Sequence, residues 1–136
     1  MRNIKYIVIH CTATPQETRI SSILRYWKDT LKWKSPGYHA IVAADGTVNK
    51  LAEYDQVTNG VAGYNSVSIH FSYIGGVDKN GKPIDNRTVE QKEALLKLIN
   101  EARALFPNAI IQGHKDFPKV KKACPSFNAK KEYENI

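Results

Sequence analysis

The residues best suited to chemistry are two histidines and a cysteine, His10, His114 and Cys124. His10 stands at the C-terminal end of Ile4 to Cys11, a β-branched run that reads as a mostly buried strand. His114 follows a short strand expected over Ala109 to Gln112, and Cys124 comes ten residues later in the same loop. Two imidazoles and a thiolate on strand ends of one sheet can converge on a point. Three protein donors with an open fourth position is the pattern of a catalytic zinc rather than a structural one. Neutral imidazole and soft thiolate suit zinc, whereas magnesium and calcium prefer oxygen. Plainer roles compete. A strand-end histidine is often a satisfied structural residue, a lone cysteine is often a small buried apolar one, and no tight motif such as His-Glu-x-x-His is present.

The other candidates sort by strand parity. Cys11 adjoins His10, so the two side chains point to opposite faces, and Cys11 faces the core if His10 faces the site. A Cys11–Cys124 disulfide is the alternative, and it would remove the thiolate. His39 follows Tyr38 on a strand, so only one of that pair can face a shared site. His70 is expected mid-strand, opposite in facing to Ile69, Phe71 and Tyr73. For His39 and His70 the parity reading favours a structural role or one supporting a ligand, since such partners fix ring tautomer and orientation.

The elements that must position these groups can be traced along the chain. Ile20, Ile23, Leu24, Trp27 and Leu31 recur at helical spacing and predict a helix from about Ser21 to about Leu31. Ser35-Pro36-Gly37 breaks the chain. Tyr38 to Ala43 and Thr47 to Leu51 flank Asp45-Gly46, which predicts a two-residue hairpin. Ser68 to Ile74 reads as an alternating strand ended by Gly75-Gly76, and Asn80-Gly81 marks a turn. Thr88 and Gln91 form a capping box before a long helix through Leu95, Leu98, Ile99, Ala102 and Leu105, stopped by Pro107. A short helix is expected over Phe127 to Tyr133. Mixed strands and helices, without repeats or linkers, predict an α/β fold: one domain over residues 1–136 with a central mixed sheet of about five or six strands and about three helices.

Composition agrees with a packed domain, at 42% hydrophobic and 24% charged residues. No apolar run reaches the ~20 residues needed to span a bilayer, so no membrane insertion is expected. Lys and Arg outnumber Asp and Glu by 20 to 13, giving +7. That excess favours polyanions of any kind; the basic residues are scattered apart from one cluster at Lys115, Lys119, Lys121 and Lys122 and another at Lys130 and Lys131.

Four blocks, taken together, resemble the type 2 N-acetylmuramoyl-L-alanine amidases, the family that includes amidase-type phage lysozymes and peptidoglycan recognition proteins. The first is Ile7 to Thr14, around His10. The second is Gly37-Tyr38-His39 with Asp45-Gly46-Thr47-Val48. The third is Tyr64-Asn65 with Ser68-Ile69 and Gly75-Gly76. The fourth is Gly113-His114-Lys115-Asp116 with Ala123-Cys124-Pro125-Ser126-Phe127. They occur in order over nearly the whole chain. The resemblance implies one zinc ion held by His10, His114 and Cys124, and Tyr38 and Lys122 as catalytic side chains. It implies hydrolysis of the amide between the lactyl group of N-acetylmuramic acid and L-alanine in peptidoglycan. Two departures stand out. Many members carry a histidine or aromatic shortly before the Tyr-Asn pair, where this chain has Gly60-Val61-Ala62-Gly63. His70 stands where a glycine is common, and would add a polar group near the groove.

Two other functions fit parts of the sequence. A peptidoglycan-recognition domain would hold a muropeptide without cutting it, although non-catalytic relatives typically lose the cysteine that this chain keeps as Cys124. A nucleic-acid-binding domain is suggested only by charge; no helix carries a basic stripe and no aromatic RNA-binding signature appears, so no nucleic-acid partner is expected. The N-terminus shows no signal-peptide pattern. The expectation is a monomeric phage or prophage lysin made in the cytoplasm, reaching the wall when a partner such as a holin opens the membrane.

Overall fold

A computed structural model describes residues 2–136. Five strands, β1 (Tyr6–Cys11), β2 (Ala40–Val42), β3 (Val48–Lys50), β4 (Ser68–Tyr73) and β5 (Ile110–Gly113), form one sheet in the order β3-β2-β4-β1-β5. β1 pairs in parallel with both β4 and β5, β2 is parallel to β4, and only the β2–β3 hairpin is antiparallel. The helices are α1 (Ile20–Arg25), α2 (Val89–Leu105) and α3 (Ala129–Glu132). This is the mixed α/β sheet with three helices that the sequence pattern predicts.

Parallel strands are joined by crossovers that cover both faces, so their interiors read as continuous apolar runs. In β1, residues 7 to 10 are fully inaccessible, and every residue of β4 is buried. Ser68 to Ile74 is therefore an interior strand, its alternating polar residues buried along with its apolar ones. Parity assigns its two faces. Ile7, Ile9, Ile69, Phe71 and Tyr73 pack against Leu95, Ile99 and Ala102 of α2. Val8 turns to the other face, against Val61 and Phe117, and His10, His70 and Ser72 share its parity. Each fully buried Leu or Ile on the α2 side contributes about 1.5–3 kcal/mol. The second face is where polar side chains gather.

α2 is anchored by its expected capping box: Gln91 N–H donates to Thr88 Oγ1 at 3.0 Å, and Thr88 N–H donates to Gln91 Oε1 at 3.0 Å. The same Gln91 amide donates to Val42 and Ile74 carbonyls, tying the helix start to the ends of β2 and β4. The helix stops at Leu105, one residue before the position preceding Pro107.

Three local expectations change. The Asp45-Gly46 hairpin closes through Ala43 and Thr47, so its loop has three residues, with Gly46 left-handed at φ +89°. The helix expected from Ser21 to Leu31 is α-helical only through Arg25; Tyr26–Thr30 widens into a π-turn closed by Leu31 N–H on the Tyr26 carbonyl. This turn carries buried Trp27, whose indole packs against Trp33 and Tyr38 at ring separations of 6.2 and 5.4 Å. α3 is shorter than expected because Asn128 caps it, accepting from Lys131 N–H. Among the described residues no helix is long and apolar enough to cross a membrane.

Candidate metal centre

His10, on the polar face near the end of β1, is fully buried. β5 runs beside β1 and delivers His114 one residue past its end, in a short 3-10 turn. Asp116 fixes that turn by accepting from Gly113 N–H at 2.8 Å. The loop then folds back, and Lys115 N–H donates to the Cys124 carbonyl at 2.9 Å. Beyond Cys124, the Pro125 carbonyl accepts from Tyr73 Oη–H at 2.6 Å, and Ser126 Oγ–H donates to the Gly76 carbonyl at 2.7 Å. The approach is close enough that a Cβ on Gly113 would lie 2.6 Å from Pro125 Cδ. Glycine there lets the loop return.

The result is a three-donor cluster: one ligand atom each from His10, His114 and Cys124, all within 4.8 Å of one another. Cys124 Sγ is 3.8 Å from His10 Nδ1, and the His10 and His114 ring centroids are 4.9 Å apart. Ligand atoms around a tetrahedral zinc lie ~3.3–3.6 Å apart when its bonds to nitrogen and sulfur have their usual lengths. The cluster needs only a small contraction to hold such an ion, and its donor chemistry, two nitrogens and one sulfur, fits zinc.

Electrostatics favour neutral imidazoles, the form that ligates. Burial, then the neighbouring His70, His114 and Lys122, hold His10 well below its ordinary range. Burial and Lys122 bring His114 down to about 4. The two cysteines are free, so no disulfide competes. Their hydrogen bond draws the Cys11 thiol down to about 7 and, together with burial, pushes Cys124 well up. Cys11 N–H nonetheless donates to Cys124 Sγ at 3.2 Å, an interaction suited to a thiolate. A cation bound by Cys124 displaces its proton. The Cys11 side chain lies with the apolar cluster, as parity predicts.

The match to known proteins is extensive. Residues 1–127 fit the family model described as N-acetylmuramoyl-L-alanine amidase. The chain belongs to the N-acetylmuramoyl-L-alanine amidase family. The endolysin of Enterobacteria phage K11 is 38% identical over 121 residues, covering 88% of this chain and 79% of that protein. The structure resembles the Ph2119 endolysin of a Thermus scotoductus bacteriophage, with a TM-score of 0.78 and 27% identity, covering 92% of this chain and 79% of the other. Apis mellifera PGRP-SA shares the fold, with a TM-score of 0.80 at 23% identity over 99% of this chain and 84% of its own.

In this amidase-family chain the cluster lies on a cleft of about 520 Å³ to which His114, Cys124, Tyr38 and Lys122 all contribute. An adjoining cleft of about 710 Å³, lined by Trp27, Trp33 and Tyr26, shares Tyr38 and Lys122 with the first. The half-buried Tyr38 ring lies 4.7 Å from the His10 ring, with its hydroxyl 3.4 Å from the Cys11 carbonyl. Burial raises its phenol above the ordinary range. Lys122 is exposed on the cleft wall. The structure thus brings the five sequence-derived candidates to one place.

His39 is elsewhere. Its Nδ1 accepts from His70 N–H at 3.0 Å and its Nε2–H donates to the Gln56 carbonyl at 2.8 Å, so both ring nitrogens serve the scaffold. His70 instead reaches the cluster, its Nδ1 2.9 Å from His10 Nε2. Gly60 and Asn65, which hold His70, carried no site role in the sequence reading. Strand parity signalled His70 by placing it on the His10 face, but carried no signal for Gly60 or Asn65.

Proposed function

We propose that this chain is a zinc-dependent amidase that hydrolyses the bond between the lactyl group of N-acetylmuramic acid and L-alanine in bacterial peptidoglycan. The observation that carries the reading is the convergence of His10, His114 and Cys124 within 4.8 Å on a cleft that also presents Tyr38 and Lys122. His10 through Nδ1, His114 and Cys124 would hold the ion. When bound, zinc supplies a Lewis acid and makes water acidic enough to attack an amide at neutral pH.

The chain's own residues supply the rest. Lys122 sits where the two clefts meet, placing an ammonium to offset negative charge that develops on the amide oxygen during attack. Tyr38, at the same junction, keeps its proton throughout the physiological range and so acts as a hydrogen-bond donor to the attacking water or the developing oxyanion. The clefts on either side offer room for glycan and stem peptide. The +7 charge draws the protein to an anionic wall. The phage relatives are endolysins, which supports a lysin acting on the wall; release by a partner and a monomeric state belong to the same proposal.

Purified peptidoglycan incubated with the protein should gain L-alanine amino termini without gaining reducing sugar ends, and a zinc chelator should stop the gain. Release that persists in chelator-treated protein would reject the metal role. Tight muropeptide binding by zinc-loaded protein without release would instead make it a recognition module.

A further inference from the structure

His10 is held from behind by a chain of hydrogen bonds whose direction can be read from one fixed donor. Val61 backbone N–H donates to Asn65 Oδ1 at 2.8 Å, and this identifies the oxygen of the Asn65 amide, because its NH₂ would face another donor there. Asn65 Oδ1 is also 2.9 Å from His70 Nε2. An amide oxygen has no proton to give, so His70 Nε2 carries one. A neutral imidazole with a proton on Nε2 presents a lone pair on Nδ1. That Nδ1 lies 2.9 Å from His10 Nε2, which therefore donates to it. The His10 proton is thus fixed on Nε2, leaving the lone pair on Nδ1, the atom 3.8 Å from Cys124 Sγ.

We infer that His70 is a positioning residue for the metal centre, setting the tautomer and orientation of His10 through a relay from Val61 and Asn65, and that Gly60 is the space that admits it. A Cβ on Gly60 would lie 2.5 Å from His70 Cε1 and closer still to Nδ1 and Cγ, inside the ring's contact distance. Gly60 is not among the glycines with positive φ, so the neighbouring ring, not the backbone, is what excludes a side chain. His70 and Gly60 form one device: a buried ring and the gap that fits it. The relay presents a ready lone pair to an incoming cation, with no tautomer change required on binding. This deepens the metal-site reading and rests on it.

The test has two arms. Long-range proton–nitrogen NMR of protein labelled with ¹⁵N-histidine should show His10 and His70 both protonated on Nε2, before and after zinc is added. A proton on Nδ1 of either ring overturns the relay. In chelator competition, His70→Ala and Gly60→Ala should each weaken zinc binding about 10- to 100-fold, the usual cost of losing a partner behind a ligating histidine. His70→Gln, which can accept from His10 and donate to Asn65, should recover most of the loss. Added to His70→Ala, Gly60→Ala should cost nothing more. Zinc affinity of His70→Ala equal to that of the unaltered protein, or an equal Gly60→Ala cost in both backgrounds, would overturn it. If the unaltered protein fails to bind zinc while both rings keep the Nε2 proton, the metal reading fails and the relay stands.

Discussion

Lys122→Met separates catalysis from metal binding most cleanly. The substitution keeps much of the aliphatic stem and removes the ammonium. Lys122 is exposed and makes no side-chain hydrogen bond or ion pair among the described residues, so stability should move by less than about 0.5 kcal/mol. Its charge faces the cleft shared with His114 and Cys124. Loss of one preorganised donor to a developing oxyanion costs roughly 100- to 1000-fold in rate. Because an exposed ammonium is partly screened, the lower end applies: about 100-fold, or ~2.7 kcal/mol at 1.36 kcal/mol per decade. The loss should fall on kcat, with KM little changed, in an assay of alanine amino termini released from a soluble muropeptide. The sign of the metal effect is opposite. The Lys122 cation disfavours positive charge on His10 and His114, and a dication feels the same repulsion. Zinc affinity should therefore hold or rise slightly. An unchanged kcat, or a rate loss matched by loss of zinc, would refute this role.

Other substitutions probe neighbouring links. Tyr38→Phe removes a hydroxyl whose contact to the Cys11 carbonyl is long at 3.4 Å; kcat should fall at least about tenfold while thermal stability stays the same, measured on the same preparation. Leu95→Ala deletes a fully buried side chain on the α2 face of the sheet and should cost about 2–5 kcal/mol in denaturant unfolding. Glu132→Gln tests the Arg87 cluster, where a side chain only 2% exposed is bonded by Glu132 and Asp85. Both carboxyls are held below their ordinary range by hydrogen bonds from Arg87. Their stabilisation is therefore present above the unfolded values near ~4 and lost as pH falls through the lower folded values. The variant should lose about 1–2 kcal/mol at neutral pH, discounted for the exposure of Glu132, and should show a flatter decline in stability on acidification.

Much of this arrangement was legible because strand parity is a rigid rule. It separated His10 from Cys11, and Tyr38 from His39, and it placed His70 on the polar face. The capping box at Thr88 and Gln91 was equally readable, since both partners lie within one turn. Convergence was harder. Nothing between His114 and Cys124 announces that the loop folds back; that follows from Lys115 bonding the Cys124 carbonyl and from Gly113 leaving room for Pro125. The match between Gly60 and His70 joins residues ten apart across a loop and a strand, a steric fit no local pattern encodes. Alternation alone does not say that Ser68, His70 and Ser72 are buried, since polar residues at that spacing also suit a solvent-facing strand. Burial is tolerated because their polar atoms are satisfied: Ser68 Oγ–H donates to the Tyr64 carbonyl, and His70 bonds His10 and Asn65. The π-turn after Arg25 likewise escapes a periodicity argument that assumes 3.6 residues per turn.

X-ray absorption at the zinc edge, on protein loaded with a single equivalent, addresses the central assignment directly. Two imidazole nitrogens at about 2.0–2.1 Å and one sulfur at about 2.3 Å are expected, with the sulfur signal absent in Cys124→Ser. A sulfur-free spectrum in the unaltered protein, or one that survives Cys124→Ser unchanged, would contradict that assignment.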